Sequence, residues 1–326
     1  MFKQRLNIEA AYFDKRTKDM LVPTIRQFTM GGIRIPDSNI GDIRNHGVEL
    51  EVSTQQPIGD KGSWSVGANA SFIKNKLVKL NGTGSFLGDG PARSYEGGSL
   101  STFYGWKTDG IYQTQAEIDA DPNIARDSRK PNILPGDVRF VDINGDGAIG
   151  DEDRTNIGNP NPTMSYGFFM NLNYGAFDFA ANFSGRAGYD VYDAIMLRNI
   201  QANGKFNMHK NALERWTGPG TSNLWPRLSR VSPNENYRDS DLALSSADYL
   251  RLKDLVIGYT IPVARLKQIG MQNLRVFFAG RNLLTFTRAN IVDPEENSGF
   301  SNLRRGVIYT EYPQSRAYSI GLDITF

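Results

Sequence analysis

No cysteine occurs among the 326 residues, which removes disulfide frameworks, thiolate nucleophiles and thiolate metal centres. Only two histidines are present, His46 and His209. A histidine-based triad or a zinc site would need both to converge. His46 falls where a strand pattern starts and His209 in a long polar connection, so both read as ordinary surface residues and the chain as no enzyme. No apolar run approaches the ~18 residues of a membrane-spanning helix. Charge of one sign is missing too: 37 Lys and Arg against 35 Asp and Glu leave +2, which points away from nucleic acid as a partner. No secretory signal precedes the first strand pattern, so export is expected to be directed from outside these residues.

What the chain has in quantity is alternation. Tyr318, Ile320, Leu322, Ile324 and Phe326 interleave with Ser319, Gly321, Asp323 and Thr325, and side chains on a strand point alternately to opposite faces. One such strand fits a soluble sandwich as well as a bilayer. The pattern repeats, however: Val48, Leu50 and Val52; Trp64, Val66, Ala68, Ala70 and Phe72; Tyr166, Phe168, Met170, Leu172 and Tyr174; Phe177, Phe179, Ala181 and Phe183. Gly175-Ala176 alone separates the last two runs, which predicts a tight antiparallel hairpin. Further runs lie at Leu6–Asp14, Asp19–Ile25, Leu255–Ile261 and Leu274–Phe286. About ten residues suffice for a tilted strand to cross a bilayer, and polar inner faces and loops account for a composition only 39% hydrophobic with 33 glycines and 15 prolines.

The spacing predicts nine strands, with short turns alternating with long connections, the longest from Ile73 to Met164. A further pair is expected inside that stretch, at Thr102–Tyr112 and Asp137–Val141. Outer-membrane barrels keep brief turns on the periplasmic side and large loops outside, whereas a soluble sandwich has no reason to gather its long loops at one end. The expected fold is therefore all-β, an antiparallel transmembrane β-barrel portion of about 9–11 strands with long extracellular loops. An odd count predicts that the sheet does not close by itself, since single-chain bacterial barrels have even numbers. Tyr166, Tyr174 and Phe326 are expected in the aromatic girdle at the membrane interface.

One loop has metal-ligand spacing. Asp142, Asn144 and Asp146 stand at positions 1, 3 and 5, Gly147 at 6, the Ala148 carbonyl at 7 and Asp153 at 12 of a calcium loop. Calcium is the expected cofactor, structural and weakly bound, because Asp at position 12 reaches less far than Glu. The same Asp, Asn and Gly residues also build plain turns without an ion. The acid pairs Asp151 and Asp153, and Glu295 and Glu296, are better placed for solvation or metal than for acid–base work. Trp106, Trp216 and Trp225 either stack on sugar rings and meet a partner or pin the loops.

Several stretches together resemble the SusC/RagA family of TonB-linked outer-membrane receptors: Asn45–Glu51, Phe103–Tyr112, Pro135–Gly147 followed by Asp153–Pro160, Arg215–Gly218 with Trp225–Arg227, Tyr249–Tyr259 and Gly280–Phe286. The resemblance implies a barrel of roughly 22 strands around a plugged lumen. It also implies energisation by the TonB complex and a SusD-like surface lipoprotein that captures oligosaccharide or peptide. Residues 1–326 then read as the C-terminal part of such a barrel in the outer-membrane lipid. The signal peptide, TonB box and plug domain are expected N-terminal to it and absent from these residues. Two rival functions stand beside this one: a passive outer-membrane porin, and a secreted calcium-binding all-β module for carbohydrate.

Overall fold

The computed structural model describes residues 6–22, 38–80, 86–88, 90–201, 207–230, 232–262, 270–295, 303–309 and 312–326. Eight strands form one antiparallel sheet in chain order: β1 (Leu6–Val22), β2 (Ser38–Ile58), β3 (Gly62–Leu80), β4 (Met164–Tyr174), β5 (Phe177–Ala187), β6 (Tyr249–Thr260), β7 (Asn273–Thr287) and β8 (Ala317–Thr325). The expected hairpin is present, with Tyr174 opposite Phe177 and Gly175 at φ 60° in the turn. Gly59, at φ 53°, turns β2 into β3 in the same left-handed conformation, which costs glycine least. β1 and β8 do not pair, so the sheet is open.

The count differs from the nine expected, and the reason lies in β1. The polar run Asp14-Lys-Arg-Thr-Lys-Asp19 reads as a turn, but it stays in the sheet, pairing Asp14 with His46 and Thr17 with Ile43. Arg44 holds Asp14 bidentately, Nε to Oδ1 at 2.9 Å and Nη2 to Oδ2 at 2.7 Å. The extra residues are absorbed in a bulge between Thr17 and Met20. There Asp19 takes φ 53° and donates its N–H to Asp42 Oδ1 at 3.0 Å. So the strands expected at Leu6–Asp14 and Asp19–Ile25 are one strand through Val22, and residues 23–25 lie outside the described ones. Eight is even, and parity therefore does not explain why the sheet stays open. The pair expected within the longest connection exists only as short pieces, 102–105, 108–111 and 138–140, outside the main sheet. Likewise the Asn45–Glu51 stretch lies inside β2, which begins at Ser38.

Register carries the alternation across the whole sheet. Trp64, Leu172, Phe179, Ile257, Phe278 and Ile320 sit opposite one another in turn from β3 to β8. Val52, Ala68, Phe168 and Phe183 form another such row, with Phe168 and Phe183 stacked at 4.3 Å. No second layer of the described residues covers this apolar face: Ile320 is 82% exposed and Met170 44%. The opposite face carries Glu49, Glu51, Asn69, Asn171, Asn182, Asp178, Arg275 and Asp323. Arg275 spans it, meeting Asp178 on β5 at 2.6 Å and Asp323 on β8 at 3.0 Å. The first of these pairs passes over β6 at Gly258, where a Cβ would stand 2.3 Å from Asp178 Oδ1. Gly258→Val is expected to displace that ion pair and lower stability by roughly 1 kcal/mol, as for other solvent-facing pairs. Thermal unfolding measures it, and an unchanged midpoint would show that the pair contributes nothing.

Apolar side chains on the polar face have a local cause. Phe169 lies across Gly67, and Phe277 across Gly321; a Cβ at either glycine would approach the ring within 2.4 Å and 2.3 Å. Each ring shields a strand backbone that has no side chain of its own.

The three connections 81–163, 188–248 and 288–316 leave the sheet at one end and share a core. Ala92 and Phe103 of the first, Tyr192, Met196, Leu197, Ala212 and Trp225 of the second, and Val307 of the third form one buried cluster. A second cluster, Ile111, Tyr112, Ile118, Ile124, Val138 and Phe140 with Leu242, lies mostly within the first connection. Strand pieces 190–193, 244–246 and 307–308 stitch the second and third connections together.

Candidate functional site

The acidic loop folds around its own backbone. Asp142 Oδ1 accepts from Gly145 N and Oδ2 from Gly147 N, both at 2.7 Å. Asn144 Oδ1 accepts from Asp146 N at 2.8 Å, and Asp146 Oδ1 from Ala148 N at 2.8 Å. Gly147 makes the turn at φ 83°. Burial acts to raise the Asp142 pKa, but the N–H groups of Gly147 and Gly145 outweigh it and hold the carboxyl below its usual value. Asp153, fully buried, spends one oxygen on Ile143 N at 2.9 Å and the other on Gly150 N at 2.6 Å. Among the described residues no three acidic or imidazole side chains form a metal-holding group. Asp142, Asn144, Asp146 and Ala148 thus share one turn, and Asp153 staples its two ends.

The tryptophans pin loops. Trp225 is buried in the shared core. Trp216 packs against Gly136 so closely that a Cβ there would meet Cε3 at 2.4 Å, and its Nε1 donates to Gln113 Oε1 at 3.1 Å. Trp106 donates Nε1 to Gly150 O at 2.7 Å. The guanidinium carbons of Arg154 and Arg238 each lie 4.8 Å from its ring centroid, a cation–π arrangement. Desolvation, with the nearby Arg129 charge, lowers the Arg238 pKa to about 10.

Distant segments also meet through buried polar groups that local spacing does not reveal. Asp137, fully buried, accepts from Arg227 Nε at 2.8 Å and Asn236 Nδ2 at 2.9 Å. Asp127 takes Arg129 bidentately and accepts from Ile149 N at 3.2 Å. Burial opposes ionisation of Asp127, yet the Arg129 hydrogen bonds keep its pKa below the usual value. At the rim of β6, Arg251 reaches Asp293 at 2.5 Å and Glu295 at 2.7 Å, tying connection 288–316 to the sheet. His46 lies within β2, and His209 caps the turn at 210–214 by accepting from Asn211 N at 3.3 Å. The two imidazoles are not brought together in any site.

A two-faced antiparallel sheet with a packed cap at one end has clear counterparts. Residues 1–283 match the family model described as TonB dependent receptor-like, beta-barrel. The chain belongs to that family. It is 30% identical to TonB-dependent receptor P26 of Formosa agariphila over 343 residues, which covers all of this chain and 33% of that protein. It is 23% identical to TonB-dependent receptor SusC of Bacteroides thetaiotaomicron over 303 residues, 88% of this chain and 27% of SusC. Among solved structures, the RagAB peptide transporter superposes with a TM-score of 0.78 at 22% identity, covering the whole chain and 34% of its counterpart. The chain therefore spans about a third of the length of the curated relatives it matches. As a member of the TonB-dependent receptor family, its sheet is a stretch of outer-membrane-type barrel wall, and its relatives are named as receptors, not enzymes.

Proposed function

We propose that this chain forms part of the wall and the extracellular cap of an outer-membrane receptor that imports a nutrient, energised through the TonB complex and assisted by a SusD-like lipoprotein. The observation that carries the reading is the division of the sheet: an apolar face spanning all eight strands without cover, a polar face behind it, and every large connection at one end. Such a face suits hydrocarbon and is far too broad for a soluble surface, which weighs against the secreted carbohydrate module. Between Val52, Val66, Phe168, Met170 and Phe183 it forms a groove of about 380 Å³. On this reading Tyr174, Phe177 and Tyr259 mark the membrane interface at the short-turn end, with Phe177 and Tyr259 rings 4.7 Å apart. Eight strands are about a third of a ~22-stranded transporter barrel.

The substrate class is an oligosaccharide or a peptide. Membership in a TonB-dependent family favours energised uptake over a passive porin, and the two readings separate by experiment. In cells carrying the complete receptor, uptake of the labelled nutrient is expected to stop when a protonophore collapses the energy supply, and tagged receptor extracted from outer membranes is expected to bring down a surface lipoprotein. Uptake that continues undiminished after the protonophore would make the protein a passive pore.

Calcium in loop 142–153 is a second, separate proposal, favoured by the nested turn in which Asp142 accepts from Gly145 and Gly147 N–H and Asn144 from Asp146 N–H. Calcium at a hundredfold its dissociation constant would stabilise the receptor by about 2.7 kcal/mol. A melting point that rises with calcium and falls with chelator is expected, the response being lost in Asp142→Asn. Identical melting curves with and without calcium would leave the loop as turns alone.

A further inference from the structure

Two arginines at the cap end of the polar face have no acid partner among the described residues. Arg186 ends the polar row of β5, opposite Ser165 of β4 and Tyr249 of β6. Arg305 comes from connection 288–316. Together with Asn45, Asn75, Asn161 and Ser165 they line one cavity of about 170 Å³, room for some five or six waters at ~30 Å³ each. Several other arginines of the sheet and cap do have an acid partner: Arg44 with Asp14, Arg129 with Asp127, Arg227 with Asp137, Arg251 with Asp293 and Arg275 with Asp178. Among the described residues neither Arg186 nor Arg305 makes an ion pair, and the only side-chain hydrogen bond of Arg305 runs from Nη1 to Asn161 Oδ1 at 3.3 Å.

The remaining wall is neutral and already braced. Asn75 donates to Asn45 Oδ1 at 2.7 Å and accepts from Leu100 N at 2.9 Å. Asn161 donates to the Leu100 carbonyl at 2.6 Å. Burial, with the neighbouring Arg186 charge, lowers the pKa of Arg305. A planar guanidinium fork matches a carboxylate bidentately, and two cations lining one cavity favour an anion there.

We propose that this niche binds a carboxylate group of the imported substrate, with Arg186 and Arg305 as its two cationic contacts. The inference rests on the receptor reading above and narrows its substrate class to acids. The carboxylate has two chemical sources, a peptide terminus or a uronic acid, and matched probes separate them. Binding to the complete receptor is measured by calorimetry for tetra-alanine against its C-terminal amide, and for a galacturonate trimer against its methyl ester.

In one of the two pairs the acid is expected to bind about tenfold or more tightly than its neutral partner, a difference of about 1.4 kcal/mol. Arg186→Gln with Arg305→Gln is expected to erase that ratio. Since the double variant could also misfold, the unmodified receptor decides by itself. Equal affinities within both pairs, or binding of none of the four probes, overturns the proposal. The receptor reading stands or falls separately, by the protonophore experiment.

Discussion

Arg251→Met in the complete receptor is expected to destabilise the cap by about 3–5 kcal/mol, the cost of removing one partner of a buried ion pair. Arg251 and Asp293 are each 3% exposed in their side chains, and their contact is 2.5 Å. Without the guanidinium, Asp293 keeps among the described residues only backbone donors, from Glu295 and Gln314 at 2.9 Å each. Glu295 would retain Lys253 at 2.6 Å, so the loss should fall on connection 288–316 rather than on the strands. Limited proteolysis within 288–316 and a lowered unfolding midpoint would report it. Arg251→Met with Asp293→Leu should recover much of the loss, because no charge is then buried alone. A single variant as stable as the parent would contradict the clamp.

The same pair sets a pH dependence. Burial alone would raise the Asp293 pKa, but the Arg251 hydrogen bond and the two backbone donors hold it below the ordinary value. A depressed folded pKa contributes stability that is complete above the unfolded value of ~3.9 and is lost as pH falls through the folded one. The cap should therefore stay clamped down to about pH 4 and loosen only below it. In Arg251→Met the sign reverses, since a buried lone carboxyl protonates readily, and lowering the pH should narrow the deficit.

Phe168→Arg should be nearly as damaging, for a different reason. Phe168 lies mid-strand on the uncovered apolar face between Ala68 and Phe183. A cation at the middle of a lipid-facing strand costs about 2–4 kcal/mol, and the 4.3 Å stacking with Phe183 is lost as well. Asn182→Arg, on the polar face one residue before Phe183, is expected to cost little. Folding into lipid vesicles followed by urea titration measures both. Equal penalties for the two would mean that the faces do not differ in solvent.

Much of this architecture could be read from single strands. Val66, Ala68 and Ala70, or Phe177 and Phe179, alternate strictly because one face is apolar and the other wet, so period two is stamped on the sequence. Gly175-Ala176 names its own hairpin. The polar stretch Asp14–Asp19 misleads because its local turn propensity yields to pairing with β2, where Arg44 holds Asp14. The cap is less legible still. Its tryptophans read equally as platforms or pins, and only the packing of Trp216 on Gly136 and of Trp225 in the shared core decides. Asp137–Arg227, Arg251–Asp293 and the Arg186–Arg305 niche join residues far apart in the chain. No local periodicity encodes such meetings. For the acidic loop, spacing located the turn correctly, while the donors around Asp153 are backbone groups that spacing does not show.

The most direct test is a spin-label scan of β3 in the complete receptor embedded in lipid, made clean on this chain by its lack of cysteine. Cysteines introduced one at a time at Ser65, Val66, Ala68, Asn69, Ala70 and Ser71 would carry the label. Labels at 66, 68 and 70 should collide with oxygen dissolved in the bilayer, and labels at 65, 69 and 71 with a water-soluble nickel reagent, alternating with the two faces of the strand. Labels at 66, 68 and 70 shielded from both reagents would place protein against the apolar face and contradict the barrel-wall account.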